Sequence, residues 1–230
     1  MSLRFIIGGV QKTSLLDFPD KISAIVFTQG CNFDCGYCHN PDLLNSKKDI
    51  YKTDVFFEFL DKRKGKLDGV VITGGEATLQ PDLIPFIKEV KSRGFAVKLD
   101  TNGYRHDVLK EALPLIDYVA MDIKAPFEKY SELTRINIDT NKIKESINLI
   151  LNSNIDYEFR TTVLKSQLTY DDFEKIGILI KGAKRYYLQK FEASSTINDE
   201  NLKNETSYSD EEFKRIISIL KKHINFCEVR

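Results

Sequence analysis

Six short runs rich in β-branched and aromatic residues punctuate the chain, at 22–28, 69–73, 95–101, 118–122, 157–163 and 185–191. They read as continuous apolar segments, the pattern of strands covered on both faces in a parallel sheet. Helical stripes lie between them. Val55, Phe56, Phe59 and Leu60 share one face, as do Leu83, Ile84, Ile87 and Val90. A short helix is expected over 106–113, and Ile143, Ile147, Ile150 and Leu151 form another stripe. Thr169 with Asp172 and Ser209 with Glu212 each have the spacing of a capping box. Strand thus alternates with helix six times, which implies right-handed βαβ units. A closed eight-unit barrel takes about 250 residues. With 230 residues and six units, the expected fold is α/β, an open partial (β/α)6 barrel of parallel strands. A flat doubly wound sheet fits the same rhythm. One domain is expected over 1–230: a lead at 1–21, a core at 22–191, then a polar loop and terminal helix at 192–230. The polar stretch 192–208 reads as a mobile surface loop.

Lys plus Arg and Asp plus Glu number 34 each, so no global charge favours nucleic acid or an anionic membrane. The apolar runs are too short to span a bilayer. The first residues lack the long apolar region and cleavage site of a signal peptide, so a cytoplasmic location is expected. In that compartment clustered cysteines serve as metal ligands or redox groups more often than as disulfides.

Both candidate architectures gather function at the carboxyl ends of the strands. After the first run stands Cys31-x-x-x-Cys35-x-x-Cys38. Thiolates are the ligands of iron–sulfur clusters, and three of them leave one iron of a cubane open. A Cys3His zinc site with His39 is the competing reading, although His39 adjoins Cys38 at an unusual spacing for one tetrahedral ion. After the second run, Gly74, Gly75 and Glu76 offer close backbone approach and a carboxylate for an ammonium group, or simply a tight turn. The third and fourth runs end in "KLDTNG" and "AMDIKAP", which puts Asp100 and Asp122 on one rim. Two such carboxylates repel unless a cation intervenes, either Lys124 or a bound monovalent metal; ordinary ion pairs are the other reading. Arg160, inside the fifth run, needs a counter-charge. By period two it shares a face with Glu158 and Thr162. Cys227, the fourth cysteine, reads as a small buried hydrophobe.

The C-x-x-x-C-x-aromatic-C spacing, with Tyr37 in the aromatic place, resembles the signature of the radical S-adenosylmethionine (SAM) enzymes. The resemblance implies one 4Fe–4S cluster on Cys31, Cys35 and Cys38, with SAM on its open iron and Tyr37 by the adenine. It also implies that Gly74, Gly75 and Glu76 bind the methionine amino group. Ala77 stands where close relatives more often have proline. Likeness to the pyruvate formate-lyase activating enzymes implies a monovalent cation among Asp100, Thr101 and Asp122. It further places Lys124 beside SAM. The Arg160 face, if it lines the barrel, is expected to meet the SAM carboxylate or ribose; a plain Glu158–Arg160 contact is the other reading. "Cys-His-Asn-Pro" at 38–41 and the near end-to-end match look like the anaerobic ribonucleoside-triphosphate reductase activating proteins. That family implies hydrogen abstraction from a glycine Cα of a partner glycyl-radical enzyme, fed by a flavodoxin or ferredoxin-type electron donor. A small-molecule radical SAM enzyme, such as 7-carboxy-7-deazaguanine synthase, or a non-catalytic iron–sulfur or zinc module are the alternatives.

Overall fold

Eight strands form one sheet, and their order in space is their order in the chain. They are β1 (Ile7–Ser14), β2 (Ser23–Thr28), β3 (Gly69–Gly74), β4 (Ala96–Thr101), β5 (Tyr118–Asp122), β6 (Asp156–Val163), β7 (Tyr186–Lys190) and β8 (Cys227–Val229). Only the β1–β2 pair is antiparallel. The structure is a computed structural model and describes residues 3–45, 51–193 and 196–230.

The strictly sequential order has a physical consequence. Right-handed crossovers that always step the same way put every helix on one face of the sheet. A doubly wound sheet reverses its order partway and covers both faces, so that alternative is excluded. Between the strands lie α1 (Asp42–Asn45), α2 (Thr53–Asp61), α3 (Leu83–Ser92), α4 (His106–Ala112), α5 (Tyr130–Thr134), α6 (Thr140–Leu151), α7 (Tyr170–Leu179) and α8 (Asp210–Leu220). One face of the strands, including Val26, Ile72, Leu99, Val119, Phe159 and Leu188, joins the helices in the main core. The alternate positions line the concave side. There Phe18, Ile25, Val71, Tyr118 and Ala120 make a second, smaller apolar cluster.

All six expected strands are present, and both capping boxes form. Two further strands extend the sheet beyond the six expected units. The lead pairs with β2 as a hairpin, with Ile7 opposite Thr28 and Ser14 opposite Ser23. Its turn around Asp17–Asp20 therefore lies at the rim remote from the carboxyl ends. The three-residue β8 adds a parallel edge beside β7. One helix face also differs from the sequence reading. In α2 the buried residues are Phe56, Phe57 and Leu60, while Val55 is exposed. Phe57 takes the inward place because its ring lies 5.3 Å from that of Phe86 on α3.

Candidate active site

The carboxyl ends of β2 to β6 converge on one cavity. Every site residue expected from the sequence lines it: Cys31, Cys35, Cys38, Tyr37, Gly74, Gly75, Glu76, Asp100, Thr101, Asp122, Lys124 and Arg160. Cys31 leaves β2 through Gly30, whose φ of +87° suits glycine. The N–H of Gly30 donates to the Leu43 carbonyl at 2.7 Å, and that of Cys38 to the Cys35 carbonyl at 3.1 Å. Cys35 is buried, and Cys31 and Cys38 are half-buried. Burial pushes the Cys31 thiol up to about 12 and raises that of Cys35 as well.

Gly74 and Gly75 serve a close approach of backbone to backbone. A Cβ on Gly74 would strike Thr28, and one on Gly75 would strike Gly30. The second loop is thereby pressed onto the cysteine loop, and the N–H of Glu76 donates to the Gly30 carbonyl at 2.8 Å. The Glu76 carboxylate is fully engaged within the protein. One oxygen accepts from the Thr78 N–H at 3.0 Å and the Thr101 hydroxyl at 2.8 Å, and the other from the Asn102 N–H at 2.6 Å. Burial raises its pKa although these donors oppose the shift. Glu76 therefore ties the loops after β3 and β4 together.

The concave side carries a ladder of alternating charge. Lys98 Nζ lies 2.6 Å from Asp100, Arg160 Nη1 3.2 Å from Asp100, Arg160 Nε 2.9 Å from Asp122, and Lys124 Nζ 2.9 Å from Asp122. Register explains the geometry, since Asp122 stands opposite Arg160 across the β5–β6 ladder. Burial alone would raise both carboxyl pKa values. Arg160 with Lys98 overcomes it at Asp100, and Lys124 with Arg160 at Asp122, so both sit below the usual range. Burial opposes the Lys124 charge, but Asp122, Tyr37 and Cys35 hold its pKa well above the ordinary lysine value. Three cations face two carboxylates along the ladder, but Lys98 does not line the cavity, where Arg160 and Lys124 meet Asp100, Asp122 and Glu76. Glu158 does not pair with Arg160. It accepts from the Tyr118 hydroxyl at 2.9 Å, with Arg230 at 3.4 Å. Thr101 faces away from the ladder, toward Glu76.

Asn102 belongs to the site and was not singled out from the sequence. Its amide donates to Asn32 at 2.9 Å and lies 4.0 Å from the Cys31 sulfur. The only signal was its place directly after a strand-end Asp-Thr. Phe33, Asn40 and Thr162 also line the cavity.

The donor set fits a cluster better than a single ion. Among the described residues no three His, Cys, Asp or Glu side chains converge as one metal ion requires. His39 packs its ring 5.7 Å from Phe191. Three thiols spread along one loop suit a cubane whose irons take one thiolate each. The Tyr37 hydroxyl is buried without a hydrogen-bond partner among the described residues, as expected of a group that awaits a ligand.

A three-thiol loop at the mouth of an open parallel barrel, beside a ladder of alternating charge, has the layout of a SAM-dependent iron–sulfur enzyme. The chain belongs to the radical SAM superfamily, whose profile matches residues 25–179. The superfamily uses a 4Fe–4S cluster and SAM. More particularly, the chain is 34% identical over 235 residues to a Methanocaldococcus jannaschii protein provisionally named a glycyl-radical enzyme activating enzyme, covering 99% of this chain and 97% of that one. It is 29% identical over 175 residues to the pyruvate formate-lyase 1-activating enzyme of Escherichia coli K12, covering 72% and 70% of the two chains. Homology thus groups it with the glycyl-radical enzyme activating enzymes. Among solved structures, Streptococcus suis SuiB bound to S-adenosylmethionine superposes with a TM-score of 0.67 at 14% identity. That match covers 88% of this chain and 48% of SuiB, and shows likeness of fold alone.

Proposed function

We propose that the chain is a radical SAM activase that installs a glycyl radical in anaerobic ribonucleoside-triphosphate reductase. The observation that carries the reading is the meeting, in one cavity, of three cysteines, the Gly-Gly-Glu turn and a ladder of alternating charge. Cys31, Cys35 and Cys38 would hold the cluster. When bound, the cluster and SAM together supply a 5′-deoxyadenosyl radical able to take a hydrogen atom from carbon.

The chain's own task is to bind, orient and shield. The Gly74–Glu76 turn would receive the methionine ammonium through its main chain, since the Glu76 carboxylate is engaged with Thr78, Thr101 and Asn102; Arg160 and Lys124 would receive its carboxylate on leaving Asp100 and Asp122. Tyr37 would offer its unpartnered hydroxyl near the adenosine. Asp100 and Asp122 would share a monovalent cation when Arg160 turns toward the ligand, and Thr101 would join them only on releasing its hydroxyl from Glu76. An electron donor of the flavodoxin or ferredoxin type would serve the cluster, in the cytoplasm. That all eight strands share one sheet supports reading 1–230 as one radical SAM domain. Among the described residues no helix is long and apolar enough to cross a membrane.

The test is co-expression with the reductase under anoxic conditions, read by electron paramagnetic resonance. A doublet glycyl-radical signal should grow with the wild-type chain and with Cys227→Ala, and be absent with Cys31→Ala, Cys35→Ala or Cys38→Ala. SAM cleavage without a signal on the reductase would reject that partner. A chain that never acquires iron and sulfide would reject the cluster itself.

A further inference from the structure

The cysteine loop is gripped from outside by chain that lies far away in sequence. After β7, residues 196–205 fold back across it, and a short helical turn at Glu200–Asn204 follows the crossing. The Asn198 N–H donates to the Cys38 carbonyl at 3.2 Å, and the Asp199 N–H to the Gly36 carbonyl at 2.9 Å. The Asn198 side-chain amide donates to Asp34 Oδ1 at 2.9 Å and to the Cys35 carbonyl at 3.1 Å. From the other side, the Thr134 carbonyl accepts from the Asp34 N–H at 2.9 Å.

Arg135 closes the ring. It follows α5 with a φ of 57°, in the left-handed region that disfavours side chains. Its guanidinium pairs with Asp199. Gly36 has the space that this needs: a Cβ there would meet the Arg135 guanidinium and Leu202. Ile197 is buried beside the crossing, only 5% exposed. The stretch 192–208, read from sequence as a mobile surface loop, is tied as a strap to the cysteine loop at Ile197–Asp199, while Glu200, Asn201, Lys203 and Asn204 stay exposed at the surface; residues 194–195 lie outside the described residues.

We infer that Asn198, together with the Arg135–Asp199 ion pair, is a clasp that holds the cysteine loop in its ligating shape and slows loss of the iron–sulfur cluster. The inference rests on the reading of Cys31, Cys35 and Cys38 as cluster ligands. Release of a cluster requires the loop to open. Opening breaks the strap's hydrogen bonds, each of which has a modest net worth in water. Arg135, Asn198 and Asp199 do not line the cavity, so they act through the loop.

The test compares wild type, Asn198→Ala and Arg135→Gln after anoxic reconstitution. An iron chelator is added, and decay of the cluster's visible absorbance is followed. Loss should quicken about tenfold in Asn198→Ala, which forfeits two side-chain hydrogen bonds. The melting midpoint of the cluster-free protein should be unchanged. Combining Asn198→Ala with Asp34→Ala should add less than the two single effects together, since both delete one bond. Equal decay in wild type and both variants would overturn the clasp, while failure of the wild type to take up a cluster would overturn the ligand reading beneath it. If Asn198→Ala lowers the midpoint, Asp199→Asn decides, because it removes only the charge that faces Arg135. Unchanged decay in that variant would equally overturn the clasp.

Discussion

Asp122 joins two half-buried cations, Arg160 on one oxygen and Lys124 on the other. Removing it frees both from the geometry in which they could meet a carboxylate, while the three thiols stay in place. Asp122→Ala should therefore weaken SAM binding roughly tenfold, the order of one charge-assisted hydrogen bond, and leave iron content near wild type. Titration calorimetry beside iron analysis checks this, and equal SAM affinity would reject the role. Legibility at this scale followed the chemistry. Thiols at fixed spacing advertise a cluster wherever the chain goes, so Cys31, Cys35 and Cys38 were readable. The partners of Arg160 were not. Period two offered Glu158 as a neighbour, but residues two apart on one strand need not touch when adjacent strands present carboxylates at closer range. Glu76 likewise reads as a ligand for an ammonium group, whereas folding spends its oxygens on Thr78 in its own loop and on Thr101 and Asn102 at the end of β4. Cys227 is buried on β8, its pKa pushed up to about 12 by burial, as a small apolar core residue should be.

At the scale of elements, α7 opens with a capping box in which Asp172 also receives Lys129 at 2.7 Å. Burial would raise the Asp172 pKa, but Lys129 and the Thr169 donors hold it below the usual value. In the unfolded chain that pKa returns to the ordinary carboxylate range. Above that range the charged form stabilises the fold in full. The contribution fades as pH falls through the range and on through the lowered folded value. Asp172→Asn should cost about 1–2 kcal/mol at neutral pH, and the gap from wild type should close in strong acid. Denaturant melts of the cluster-free protein across pH measure it, and a gap constant with pH would refute the charge argument. Elements with strong local signals, such as this box and the one at Ser209, were legible because their determinants lie within four residues. The three-residue β8 was not, since so short a run has no periodicity and is strand only because β7 offers it an edge.

For the molecule as a whole, the concave side decides stability and function together. Its carboxyl end holds the cavity, and its other end is filled by Phe18, which is 2% exposed and lies 6.1 Å, ring to ring, from Tyr118. Among the described residues, no other residue of the lead belongs to this second core cluster. Phe18→Ala should destabilise the cluster-free protein by about 3 kcal/mol through the cavity left behind. Its effect on SAM affinity should be small, because Asp122 and Lys124 lie at and beyond the opposite end of β5 from Tyr118. Thermal denaturation and calorimetry separate the two effects, and a loss of affinity without loss of stability would contradict this division of labour.

The alternation of strand and helix, the cysteine spacing and the caps were written locally, in residue type and interval, and the amino-acid sequence determined them without help. Tertiary structure alone decided that the strands run in unbroken order, that Arg160 bridges Asp100 and Asp122, and that residues 197–199 clasp the cysteine loop. Each of these depends on which distant segments become neighbours. Chain order places the strand ends on one rim, but distances across that rim exist only after the sheet has curved and closed around its second core.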